Sequence, residues 1–166
     1  MTERLCVDII TKSPRWHDAL PNVAALAQQA ADIVWRQTSD GQLGAELSLV
    51  LGDDAFLKSL NYRYRKKNQP TNILSFPAED EVMLGMPRLL GDVVLAFETI
   101  YLEAVTQEKT FADHFQHLFV HGFLHLLGHD HQDEADAASM AALEIDFLLS
   151  LGIVDPYAGR PMTRPR

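Results

Sequence analysis

Two rhythms of apolar residues run along this chain, one of period two and one near 3.6. Residues from Arg4 to Ile10 alternate weakly and end β-branched, which predicts a first strand closed by a TKSP turn. From Trp16 to Gln37, Leu20, Val23, Ala24, Ala27, Ala31 and Val34 recur at helical spacing. Pro21 sits near the start of that run, where a first turn tolerates it. Ala45 to Leu51 alternates enough for a second strand, and Gly52-Asp53-Asp54 then opens a helix that an aspartate can cap, with Leu57, Leu60 and Tyr64 on its buried face.

A short strand is predicted over Thr71 to Pro77, followed by a loop to about Leu90 and a further strand from Gly91 to Phe97. One long amphipathic helix is expected from about Thr106 to Leu127. Another is expected from about Asp133 to Leu151, with Asp133 as a cap, Met140, Leu143 and Phe147 on one face, and Gly152 as its stop. Strands and helices are partly segregated. The expected fold class is therefore α+β: a small four-stranded mixed sheet against a layer of about five helices, in one domain over residues 1–154 with a loose tail over 155–166.

Composition narrows the class. With 47% hydrophobic and 22% charged residues among 166, the chain reads as an ordinary globular domain. Its single cysteine, Cys6, excludes an intramolecular disulfide and a Cys-rich metal site, and it sits in an apolar run that suggests a small buried hydrophobe. Neither a secretory signal nor a membrane span is visible, so the cytoplasm is the expected compartment. A net charge of -9 argues against non-specific coating of nucleic acid. One basic cluster opposes that average: Arg63, Arg65, Lys66 and Lys67 at the end of the second helix.

The segment HGFLHLLGHDH, His121 to His131, carries the chemistry. His121 and His125 lie four apart on one helical face, close enough to share an ion. Gly128 can end the helix in the left-handed conformation and bring His131 back to the same ion. Three neutral ligands with one open position are the pattern of a catalytic zinc, Zn2+, one per chain. His117 stands four before His121, but without a turn to recruit a third ligand; polar packing or a supporting contact behind the ligands is the reading for it, and a solvent-facing position for His129. Asp130 can orient a ligand imidazole. The three-His spacing is shared with metallopeptidases, whose general-base glutamate follows the first His; here that position is Gly122, which argues against proteolysis.

HGFLHLLGHDH resembles the H-G-x-L-H-L-x-G-x-D-H signature of the YbeY-type family of bacterial metal-dependent endoribonucleases. LNYRYRKKNQPTNILSFP, Leu60 to Pro77, is similar to a second block of that family, and LGDVVLA from Leu90 to a third, with Ile73 and Asn72 as small departures. The resemblance implies zinc on His121, His125 and His131, with Arg65 as the functional arginine. It further implies action on single-stranded RNA in rRNA maturation, including 16S rRNA 3′ end processing, and in ribosome quality control. Ribosomal particles or assembly proteins are then the expected partners.

Chemistry supports Arg65 independently, since a guanidinium can grip a phosphate through two hydrogen bonds. Lys66, Ser75 and Asp92 are further candidates for substrate binding, and Asp92 also for a general base. A zinc hydrolase of peptide or amide bonds and a non-enzymatic ribosome-assembly module remain as alternatives.

Overall fold

The computed structural model describes residues 5–38, 44–67, 71–78, 87–129 and 134–154. In chain order it contains β1 (Leu5–Thr11), α1 (Arg15–Ala19), α2 (Val23–Thr38), β2 (Ala45–Gly52), α3 (Asp54–Arg65), β3 (Ile73–Pro77), β4 (Arg88–Ala96), α4 (Phe97–Thr106), α5 (Phe111–Leu126) and α6 (Glu134–Ser150). The four strands form one mixed sheet in the order β1-β2-β4-β3, with β1, β2 and β4 parallel and β3 antiparallel to β4. This is the α+β architecture expected from the pattern.

Because side chains alternate across a strand, the sheet has two different faces. One face presents Leu5, Leu47, Leu49, Leu51, Ile73, Val93 and Leu95 to the main core, where they meet residues of α2, α5 and α6. Trp16 stands at one end of that core against Phe97, Phe111 and Phe115, and its indole N–H donates to the Gly52 carbonyl at 2.8 Å. On the second face, Val50, Leu74, Val94 and Ala96 pack under Phe56, Leu57 and Leu60 of α3. Among the described residues, the rest of that face carries a groove lined by Asp8, Glu46, Ser48 and Asp92. Cys6, expected as a buried hydrophobe, is exposed there, because Leu5 and Val7 on either side take the core positions.

Local chemistry accounts for most of the boundaries. The Asp53 carboxylate caps α3 by accepting from the Phe56 N–H at 2.8 Å. Leu57 is fully buried as expected, but Tyr64 is 61% exposed, since its ring stands edge-on against Phe76 at the sheet's rim. Two helices differ from expectation. The run from Trp16 to Gln37 is broken into α1 and α2, because Pro21 lacks an N–H and pushes Leu20 out of the helical region, to φ -141° and ψ 75°. The fourth strand leads straight into α4, an unexpected helix, and α5 begins only at Phe111. The expected cap Asp133 and the tail from Asp155 lie outside the described residues.

Between α4 and α5 the chain turns through Glu108, which holds φ 55°. The Lys109 N–H donates to the Ala104 carbonyl at 2.9 Å and the Glu108 N–H to Val105 at 3.2 Å, the pattern that glycine usually serves at a helix end. Glu108→Gly is therefore expected to stabilise the protein by about 0.5–1 kcal/mol, the left-handed strain relieved less the added freedom of the unfolded chain. A thermal melt should show a rise of about 2 °C.

Candidate metal centre

The long helix α5 carries the centre because it is buried almost all round. Its Thr110 side chain caps it by accepting from the Asp113 N–H at 3.1 Å, and its residues from His114 to Leu124 are buried. At the other end, Gly128 takes φ 97°. The His129 N–H reaches the Leu124 carbonyl at 3.0 Å and the Gly128 N–H reaches His125 at 3.1 Å, so the predicted glycine bend closes the helix. The chain leaves α5 immediately after the second imidazole. His131 and Asp130 lie outside the described residues.

His121 and His125 meet as their spacing requires. Their rings are 4.7 Å apart and nearly perpendicular, and the two Nε2 atoms approach to 3.1 Å. That separation suits two nitrogens each ~2.0–2.1 Å from one tetrahedral ion. On the far side of its ring, His121 Nδ1–H donates to Glu144 Oε1 of α6. The carboxylate accepts at Nδ1, so Nε2 carries the lone pair and faces His125. Among the described residues, these two nitrogens and their orientation are compatible with part of a divalent metal site, whose expected third ligand lies outside them.

Glu144 was not among the sequence candidates. A signal was present: an acidic residue four after Met140 and three before Phe147, on the apolar face of α6. It is 1% exposed. Burial alone pushes its carboxyl up, but its interactions with the imidazoles of His117 and His121 outweigh that and hold it below the usual carboxylate range. His117 Nε2 stands 3.9 Å from the other carboxylate oxygen, and burial pulls that imidazole below its usual range. Thus His117 packs on the Glu144 side of His121, away from the pair of Nε2 atoms. His114 belongs to a separate polar cluster, 2.9 Å from Glu103, which also accepts from the Asn72 amide at the start of β3.

Gly122 explains why α5 lies so close to the sheet. A Cβ there would stand 2.7 Å from Ile73 Cδ1, 2.9 Å from Val93 Cγ1 and 3.1 Å from Ser75 Oγ. The position at which a metallopeptidase carries its glutamate has no room for any side chain. Ser75, a candidate for substrate binding, donates its hydroxyl to the Gly122 carbonyl at 3.3 Å and so lies directly beside the histidine turn.

Asp92 is not brought to the histidines. Val93 faces Gly122, so Asp92 points to the opposite face, where with Asp8, Glu46 and Ser48 it lines a groove of about 380 Å³. Arg65 and Lys66 are exposed at the C-terminal end of α3, also on the second face. They nevertheless share one end of the sheet with the imidazoles. Tyr64 touches Phe76 near the end of β3, while α5 passes Ile73 and Ser75 with His125 one turn beyond. The basic cluster and the histidine pair therefore flank the edge strand β3 from its two sides.

Comparison with known proteins places the chain in a family. A family model described as Endoribonuclease YbeY matches residues 12–152. Proteins named Endoribonuclease YbeY from Paramagnetospirillum magneticum and Parvibaculum lavamentivorans are 49% and 48% identical, over 95% and 91% of this chain and 97% and 84% of their own lengths. One from Agrobacterium fabrum is 42% identical over 94% of this chain and 96% of its own. The solution structure of TM1509 from Thermotoga maritima shares the fold, with a TM-score of 0.58 at 20% identity over 95% of this chain and 99% of that one. By its sequence, over nearly its whole length, the chain belongs to the YbeY endoribonuclease family.

Proposed function

We propose that this protein hydrolyses phosphodiester bonds of single-stranded RNA with a zinc ion held by His121, His125 and His131. The reading rests above all on one observation, the 3.1 Å approach of two Nε2 atoms with His121 fixed from behind by Glu144. When bound, zinc supplies a Lewis acid for a phosphoryl oxygen and a nucleophile at neutral pH. The chain's own residues do the rest. Glu144 keeps the His121 proton on Nδ1, leaving Nε2 free to ligate. Arg65, a permanent cation, grips the phosphate through two N–H groups and stabilises the charge gathering on it in the transition state. Lys66 adds a point charge to the approach of the strand. The substrate is rRNA, with 16S rRNA 3′ end maturation and ribosome quality control as the cellular roles, in the cytoplasm and in contact with ribosomal particles or assembly proteins. Peptide hydrolysis is disfavoured by the packed surroundings of Gly122.

Metal analysis and cleavage of a single-stranded oligoribonucleotide test the reading together. His121→Ala is expected to lose most of the bound zinc and at least about 100-fold in cleavage rate. Arg65→Ala is expected to keep its zinc and lose about 100-fold in rate, the usual effect of removing one transition-state donor. Unchanged cleavage in both variants, or full zinc content in His121→Ala, would sink the proposal.

A further inference from the structure

The two side chains of β3 that touch α5, Ile73 and Ser75, belong to residues whose backbone faces outward. In the antiparallel ladder the Asn72 carbonyl accepts from the Ala96 N–H at 2.9 Å, and the Ala78 N–H donates to the Leu90 carbonyl at 3.0 Å. Paired residues direct both backbone groups at the partner strand and alternate with residues that direct both away. The inward set is therefore Asn72, Leu74, Phe76 and Ala78, and the outward set is Ile73, Ser75 and Pro77. Since β3 is an edge of the sheet, and no strand lies beyond it among the described residues, the N–H and C=O groups of Ile73 and Ser75 form its free rim. Pro77 has no N–H and ends that rim after two donors.

We infer that this rim is a positioning ledge for the ribose-phosphate backbone of the RNA strand, a reading that rests on the function proposed above. The Ser75 N–H donates to a phosphate oxygen, and the Ile73 and Ser75 carbonyls accept from 2′-hydroxyl groups, which are donors that DNA lacks. Three observations favour a polynucleotide as the occupant. Four basic residues, Arg63, Arg65, Lys66 and Lys67, are exposed on one flank of the strand and draw an anion to it. The histidine pair lies on the other flank, beside Ser75 through its contact with Gly122. A rim with two donors before a proline is too short to pair well with an added protein strand. The Ser75 hydroxyl is spent on the Gly122 carbonyl, so the backbone rather than the side chain makes the contact.

Two variants separate these groups. Ser75→Ala removes the hydroxyl and keeps the N–H. Ser75→Pro removes the outward N–H at a position where no ladder bond is lost. Steady-state cleavage of a single-stranded oligoribonucleotide by the zinc-loaded proteins should show KM raised about tenfold in Ser75→Pro relative to Ser75→Ala, as expected for one hydrogen bond to a charged group. The kcat of the two should agree within about twofold, and zinc content should be equal. Should Ser75→Pro fail to fold, replacing the Leu74–Ser75 amide by an ester removes the same N–H without constraining φ, and the same rise in KM is expected. An ester variant, or a folded Ser75→Pro, with the KM of Ser75→Ala overturns the ledge while the wild-type cleavage leaves the nuclease reading standing. Absence of cleavage by the wild-type protein overturns both.

Discussion

Glu144→Gln is expected to weaken zinc binding by about 10–100-fold, as losing the partner behind a ligating histidine commonly does. Glutamine keeps the volume of the side chain but can present an N–H₂ to His121 Nδ1, where only an acceptor maintains the required tautomer. Glu144→Ala is more severe. Both His117 and His121 then face a space that the carboxylate filled, at a site 1% exposed to solvent. Removing one member of a buried, hydrogen-bonded charge cluster costs on the order of 3 kcal/mol. Zinc titration followed by competition with a chelator measures the first effect, and urea unfolding the second. Wild-type affinity in Glu144→Gln would mean that His121 needs no support from α6.

Gly122→Glu is expected to destroy the fold rather than create a peptidase. The substitution restores the H-E-x-x-H spacing, and from the sequence alone it looks like a gain of a general base. In the structure the new side chain would point into the junction of α5 with β3 and β4, where even a Cβ falls 2.7 Å from Ile73 Cδ1 and 2.9 Å from Val93 Cγ1. Val93 is fully buried and, being β-branched, has little freedom to rotate away. A carboxylate forced into that packed junction would also be desolvated. The combined cost is expected to exceed about 4 kcal/mol, which places the variant near or past its unfolding threshold. Gly122→Ala isolates the steric part: overpacking of about 1–3 kcal/mol against a helix-propensity gain of about 1 kcal/mol. Circular dichroism melts of the two variants, with zinc content beside them, check both. A folded Gly122→Glu of wild-type stability would show that α5 does not press on the sheet at this point.

The two substitutions show where sequence reasoning reaches and where it stops. The histidine pair was legible because i and i+4 lie on one helical face whatever the helix packs against, and Gly128 was legible because few other residues adopt a positive φ cheaply. Asp53 as a cap and Gly152 as a stop follow the same local rules. Glu144 is 23 residues from His121, and the helix that carries it reads as an ordinary apolar stripe. Its single acidic interruption states that a partner exists without naming it. The opposite faces occupied by Asp92 and the histidines, the shared end of the sheet reached by Arg65, and the outward backbone of Ser75 depend on strand order, which no local pattern encodes.

By itself, the sequence determined the elements that obey short-range chemistry: two strands by alternation and two as short apolar runs, helices by their period, caps and stops, and two imidazoles placed by the pitch of one turn. Packing decided what those elements do to each other. It cut one expected helix at Pro21, seated α5 on the sheet through a glycine, and set a buried carboxylate behind His121. The physical reason is range. Backbone sterics and hydrogen bonding act over about four residues, whereas desolvation and steric fit act between whatever surfaces the completed fold brings into contact.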